Sequence, residues 1–320
     1  MEKIRIGVIG IGNMGKNHVR LLSEMKEDFE LRGVYDLDKK HVQNTGYNGK
    51  IYDSESELMS DVEAAVIAAP SFLHKSLALK AAKYGLHLLV EKPLALNAQD
   101  AVEVCEQYKV LENKILMVGH VERFNPVVQE LEKILKNEEI IAVTIERCSP
   151  MDMRISDTDV IYDLMIHDID ILLNAVLPDV RFEKVHAFGR TVYNEKNVDF
   201  VQAIFKFENK VQASVISSRT TEDKIRKINV HCKDAFIDCD LLHKTITISR
   251  RTHYRLDTGY NPVYKQENVI EKVFVPNVEP LKEELKCFSE SIEKRKALRN
   301  NGETARRDLE VLDKIKQLIY

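Results

Sequence analysis

Three glycines at fixed spacing constrain this chain more than any other feature. Gly10-Ile11-Gly12-Asn13-Met14-Gly15 follows the apolar run Ile4, Ile6, Val8 and Ile9, and opens a stretch in which Val19, Leu21 and Leu22 recur at helical spacing. A strand feeding a glycine turn and then a helix is the phosphate-binding corner of a doubly wound sheet. Gly10 permits the tight turn, Gly12 lets the main chain approach a pyrophosphate, and Gly15 allows close helix–strand packing. The helix N-terminus, with its unpaired N–H groups, attracts the phosphates. The next apolar run, Leu31 to Tyr35, ends at Asp36, 21 residues after Gly15. An acid there accepts bonds from ribose hydroxyls and repels a 2′-phosphate, which points to NAD rather than NADP. Asn13 and Met14 belong to the same turn and are candidate cofactor contacts.

Short apolar runs then alternate with amphipathic stretches. Ala64–Ala69, Leu86–Val90 and Ile115–Val118 read as buried strands, and the segments between them read as helices. Ser54 with Glu57 forms a capping box, and Gly85 stops the helix that begins at Leu73. Near-continuous apolar strands separated by helices imply a parallel sheet covered on both faces. Beyond about residue 122 the pattern changes. A helix over 126–135 and another over about 160–175 are followed by strand-like runs with no helices between them, and Glu208-Asn209 marks a hairpin. Two charged amphipathic helices close the chain. The expected fold class is α/β: residues 1–122 form a doubly wound, nucleotide-binding domain. Residues 123–320 form an α+β domain with an open, mainly antiparallel sheet, with the last helices able to pack back on the first domain.

Composition narrows the function. A length of 320 residues suits about two domains. A formal net charge of −4 without a basic block argues against nucleic acid, and no apolar run reaches the length needed to span a bilayer. The N-terminus runs directly into a strand, leaving no room for a signal peptide, and the five scattered cysteines read as free thiols. A cytoplasmic protein is expected.

Two charged clusters resist a packing explanation. Leu88-Leu89-Val90 runs into Glu91-Lys92-Pro93, at the carboxyl end of a parallel strand where such sheets bind ligands. A lysine there can donate to a developing alkoxide or tune a neighbouring base, and Pro93 can fix its backbone, through a cis bond if one forms. The second cluster, Asp163-Leu164-Met165-Ile166-His167-Asp168-Ile169-Asp170, lies in an apolar helix. Asp163 and His167, four apart, share a face, and a carboxylate beside an imidazole orients it as a general base. A metal reading of Asp163, His167 and Asp170 lacks further ligands at suitable spacing, so no metal is expected. His18 follows the glycine turn, as a packing, capping or ligand residue. Ala69, Pro70 and His74 fall at the sheet's carboxyl edge, Arg123 and Asn125 at the domain crossover, and Arg154 in a loop.

Together these residues resemble the glucose-fructose oxidoreductase/inositol dehydrogenase/rhizopine-catabolism (Gfo/Idh/MocA) family. The resemblance rests on Gly10 to Gly15 with His18, Asp36, Ala69-Pro70 with His74, Glu91-Lys92-Pro93-Leu94, and Asp163 with His167. It implies an NAD(P)-binding Rossmann domain and a sheet domain that builds the substrate site. It also implies reversible oxidation of sugar or cyclitol hydroxyls, with Lys92, Asp163 and His167 on the catalytic positions. Gly119 to Pro126, with Arg154 and Tyr162 to Asp170, is similar to a narrower group, the UDP-N-acetylglucosamine 3-dehydrogenases. The loop Cys148 to Met153 departs from the proline-rich form of that group. For that substrate Arg123, Asn125, Arg154 and His167 are the expected contacts, and for the cofactor Gly10, Gly12, Asn13, Met14, Gly15, Asp36, Ala69, Pro70, His74, Glu91 and Lys92. Either Lys92 or His167 accepts the proton. The alternatives are an inositol or free-sugar dehydrogenase, and a non-catalytic NAD-binding regulator. The family implies a homodimer or homotetramer.

Overall fold

The computed structural model describes residues 2–151, 159–178, 180–193, 196–257, 262–294 and 298–320. They divide into two compact units: Met1–Phe124 with Glu279–Asp313, and Asn125–Val278 with Lys314–Tyr320. The boundary thus falls two residues past the expected one, and a late segment returns to the first unit.

The first unit runs β1 (Ile4–Ile9), α1 (Asn13–Glu24), β2 (Phe29–Tyr35), α2 (Lys39–Gln43), α3 (Glu55–Asp61), β3 (Ala64–Ile67), α4 (His74–Lys83), β4 (His87–Glu91), α5 (Ala98–Lys109) and β5 (Leu116–Gly119). The strands form one parallel sheet in the order β2-β1-β3-β4-β5. All four residues of β3 are fully buried, as a central strand covered on both faces requires. Caps place the helices. Ser54 Oγ accepts from the Glu57 N–H at 3.1 Å to start α3, Asn97 Oδ1 accepts from Asp100 N–H at 2.9 Å to start α5, and Gly85 at φ +65° ends α4. α1 begins at Asn13, four residues earlier than its apolar periodicity suggests, because the helix starts inside the glycine turn.

The second unit opens with α6 (Pro126–Leu135) and β6 (Ile140–Cys148). A continuous helix over 161–176 follows. It is a π turn (Ile161–Met165), the α-helix α7 (Ile166–Ile171) and a second π turn (Leu172–Val176). Then come β7 (Phe182–Arg190), β8 (Phe200–Phe207), β9 (Gln212–Ser218), β10 (Ile225–Cys232), β11 (Ala235–Asp240), β12 (Thr245–Asp257) and β13 (Pro262–Val273). The eight strands form one sheet, β13-β12-β11-β10-β6-β9-β8-β7, antiparallel except for the parallel pair β6–β9. In β8, Val201, Ala203, Phe205 and Phe207 are buried and alternate with more exposed residues, the pattern of a sheet packed on one face.

α8 (Pro280–Lys294) belongs to the first unit, where Leu281, Leu285 and Phe288 join the core built by β1, α1 and β2. Burying each such side chain contributes about 1.5–3 kcal/mol. α9 (Gly302–Ile319) ends the chain. No helix among the described residues is long and apolar enough to cross a membrane.

Candidate functional site

In the first unit the parallel strands finish in register. Ile9 pairs with Ile67, Ile67 with Val90, and Glu91 with Gly119, so Gly10, Ala68 and Lys92 follow strands that end along one edge. That edge is where open α/β sheets bind ligands. Gly10 has φ +88°, and a Cβ there would stand 2.5 Å from the Ala69 nitrogen. Both the backbone angle and the space therefore demand glycine. At Gly15 a Cβ would run into the Gly10 carbonyl oxygen. Gly12 is different: it is exposed, and a Cβ there would meet nothing within 4 Å. It caps α1 without a side-chain bond, and no acidic residue stands in the first helical turn. The N–H groups of that turn are thus left for an anion. Asn13 is exposed and Met14 half-buried beside it.

Asp36 sits at the end of β2 with Oδ2 accepting from the Ile11 N–H at 2.5 Å and Oδ1 accepting from the Asp38 N–H at 2.8 Å. Its carboxylate is thereby held beside the glycine turn, with the His41 ring nitrogen 3.1 Å from Oδ1. An open main-chain cradle at Gly12 with a fixed carboxylate at its side fits a dinucleotide.

The Glu91-Lys92-Pro93 step carries a cis Lys92–Pro93 bond. Glu91 is buried, and its Oε1 lies 2.7 Å from Nε2 of His18, itself fully buried on α1. Lys92 is half-buried. His74 is buried at the start of α4. Its Nδ1 is 2.6 Å from the Pro93 carbonyl oxygen and its Nε2 is 2.8 Å from that of Ala69. Burial pushes the His74 pKa down, opposed by these two carbonyls. Ala69 is half-buried and Pro70 exposed.

Arg123 and Asn125, expected to touch substrate or cofactor, are buried and bonded within the fold. An Arg123 guanidinium N–H donates to the Arg299 carbonyl, as the segment before α9 comes alongside β5. Asn125 Oδ1 accepts from the Val127 N–H at 3.1 Å and caps α6, with Pro126 at the first helical position. The Asn-Pro pair signals that cap in the sequence itself. Arg154 lies outside the described residues.

In the second unit Asp163 lies in the first π turn and His167 in α7. Tyr162, Asp163, Leu164 and His167 are half-buried while Met165, Ile166 and residues 168–170 are buried, so the two candidate residues share the helix's more open side. π turns within helices occur frequently at functional sites. Asp163 Oδ2 accepts from Arg219 Nη2 at 3.0 Å, and Arg219 is only 3% exposed. Asp168, buried beneath, accepts from Arg147 Nε at 2.8 Å. Asp170 Oδ1 accepts from Asn174 Nδ2 at 3.3 Å. Neither arginine is foreseen from the sequence. Arg147 lies in an apolar strand and Arg219 just after one, each far along the chain from its partner, and the one available signal is a lone cation in or beside an otherwise apolar run.

Comparison with known proteins agrees with this fold. Residues 4–120 match the model of the oxidoreductase family with an NAD-binding Rossmann fold, and residues 149–238 match the GFO/IDH/MocA C-terminal domain. The UDP-N-acetylglucosamine 3-dehydrogenase of Acidithiobacillus ferrooxidans is 28% identical over 78% of each chain. Its solved structure superposes with a TM-score of 0.88 at 25% identity, covering 100% of this chain and 98% of that one. An inositol 2-dehydrogenase of Pseudarthrobacter chlorophenolicus is 34% identical over 43% of each chain. Levoglucosan dehydrogenase, solved with NADH and L-sorbose, shares the fold with a TM-score of 0.81 at 17% identity, covering 99% and 97% of the two chains. With a glycine-cradled NAD-binding domain and the sheet domain that accompanies it, this chain belongs to the Gfo/Idh/MocA family of oxidoreductases.

Proposed function

We propose that this protein is an NAD-dependent dehydrogenase that oxidises a sugar hydroxyl to a ketone, acting on the 3-hydroxyl of UDP-N-acetylglucosamine or a related nucleotide sugar. The observation that carries the reaction class is Lys92, half-buried at the end of β4 on the edge that also bears the glycine cradle and Asp36. Likeness to the A. ferrooxidans enzyme along most of the chain supports the choice of substrate. Bound NAD⁺ supplies the acceptor for the hydride leaving the substrate carbon. Gly10, Gly12, Asn13, Met14 and Gly15 receive its pyrophosphate, Asp36 its ribose, and Ala69, Pro70 and Lys92 line its path.

The hydroxyl proton must leave as the hydride does. In this reading His167 takes it and Asp163, steadied by Arg219, holds the charge that develops on the ring. Lys92 donates to the hydroxyl oxygen and so makes its proton easier to remove. A homodimer or homotetramer is proposed through the sheet of the second unit, which exposes Ile141, Phe188, Ile204 and Ile270.

The test is NADH formation from purified protein, NAD⁺ and UDP-N-acetylglucosamine with a carbonyl trap. NADH from the wild type and hardly any from Lys92→Ala is the expected result. No NADH with NAD⁺ binding intact removes this substrate. The inositol 2-dehydrogenase likeness then makes a panel of inositols and free sugars the next assay.

A further inference from the structure

The step that presents Lys92 is gripped on both sides by histidines. Glu91 is the last residue of β4, and Lys92 follows it in the bend that carries the cis Lys92–Pro93 bond. The Glu91 carboxylate turns inward to His18, 2.7 Å away, on the helix that begins in the glycine turn. Gly119, its neighbour on β5, leaves room for it: a Cβ there would stand 3.0 Å from Glu91 Oε2. On the other side of Lys92, the Pro93 carbonyl meets His74, whose second nitrogen meets the Ala69 carbonyl in the loop after β3. Both rings are at most 1% exposed, so solvent does not compete for these bonds.

We propose that His18 and His74 are positioning residues that register Lys92 against the two main-chain turns facing the cofactor. The proposal rests on Lys92 having the role assigned above. His18 ties residue 91 to α1, and hence to Gly12 and Gly15. His74 ties residue 93 to residue 69. Lys92 is the one residue between these anchors, half-buried at the ligand edge of the sheet. The geometry at His74 is selective in a further way. A neutral imidazole has one donor and one acceptor nitrogen, and carbonyls only accept. Both bonds are made together only by the charged ring, a form that burial of the ring opposes. The charged groups facing His74 are Glu91, which favours that form, and Lys92, which opposes it.

The experiment follows Lys92 itself. The full-length protein is reductively methylated with ¹³C-formaldehyde, and the Lys92 dimethylammonium signal is assigned by its loss in Lys92→Ala. The proposal expects that signal to shift or broaden in both His18→Gln and His74→Gln, each compared at matched thermal stability, with Glu91→Gln as a variant of nearly unchanged size on the same anchor. A signal unchanged in both histidine variants overturns the proposal, whether or not a sugar substrate has been found. In turnover, each substitution is expected to lower kcat at saturating NAD⁺ by up to about 10²-fold, as a misplacement of about 1 Å does. Added to Lys92→Ala, His74→Gln should cost nothing more. An equal loss of kcat with and without Lys92 shows that the histidine acts elsewhere and refutes the assignment. Lys92→Ala turning over like the wild type strikes the functional reading instead and leaves the resonance experiment to decide the positioning.

Discussion

An alanine in place of Gly12 adds one methyl group at a point where no atom lies within 4 Å. Gly12 has φ −73° and ψ −154°, an extended conformation open to alanine. Glycine is the better residue at a helix N-cap, so the substitution costs folding less than about 1 kcal/mol. In a domain of this size that lowers Tm by roughly 2–4 °C. The space the methyl fills is the one the pyrophosphate needs. Each charge-assisted bond it displaces is worth about 1.5–3 kcal/mol, which weakens NAD⁺ binding about tenfold or more. Gly10→Ala makes the contrast. At φ +88° the left-handed backbone alone costs about 1–2 kcal/mol, and the new Cβ also meets the Ala69 main chain. Calorimetric NAD⁺ titration beside thermal unfolding reads both effects. Gly12→Ala should lose binding with a melting temperature within about 4 °C of the wild type, whereas Gly10→Ala should lose both. Unchanged NAD⁺ affinity in a folded Gly12→Ala protein refutes the cradle argument.

Lys92→Ala should reduce turnover by about 10²–10⁴-fold, the usual worth of a positioned proton-handling group, while the protein still binds NAD⁺; single-turnover kinetics beside binding titration checks this. Arg147→Met leaves the buried Asp168 carboxylate without its guanidinium and should cost about 3–5 kcal/mol in urea unfolding; a loss below about 1 kcal/mol shows that the pair does not hold the helix over 161–176 to β6. His87 accepts from the Ile115 N–H at 3.2 Å, and burial, aided by Lys114, pushes its pKa down to about 4. The unfolded chain takes up that proton near pH 6.5 and the folded one does not, so this stability is present above pH 6.5 and is lost as pH falls toward 4. Urea midpoints at pH 7.5 and 4.5 should therefore differ less in His87→Asn than in wild type, and equal differences exclude the effect.

Much of the first unit was legible because its signals are local. The glycine turn, the Ser54 capping box, Gly85 and the unbroken apolar strands each act within a few residues, and each appears in the structure where the pattern puts it. The helix over 161–176 was legible as a buried helix with Asp163 and His167 on one face, but not as two π turns around α7, since periodicity over a single turn hardly separates the repeat of about 3.6 residues in an α-helix from the slightly wider one of a π turn. Arg123 and Asn125 illustrate the opposite limit. The sequence marks both as candidate ligand contacts and, through Pro126, Asn125 as a cap, whereas the bond from Arg123 to the carbonyl of Arg299, 176 positions on, appears only in the fold.

By itself the sequence determined the strand–turn–helix corner, the acid at the end of β2, the lysine at the end of β4 and the change from parallel to antiparallel patterning, because backbone sterics and side-chain periodicity act between near neighbours. Only the tertiary structure decided that α8 joins the core of the first unit, that Arg219 holds Asp163, that Arg147 neutralises Asp168, and that His18 and His74 grip the step bearing Lys92. Those pairings join residues 19 to 73 positions apart or more. They are chosen by where the packed elements bring buried charges and carbonyls together, since a buried polar group must find a partner wherever the fold supplies one.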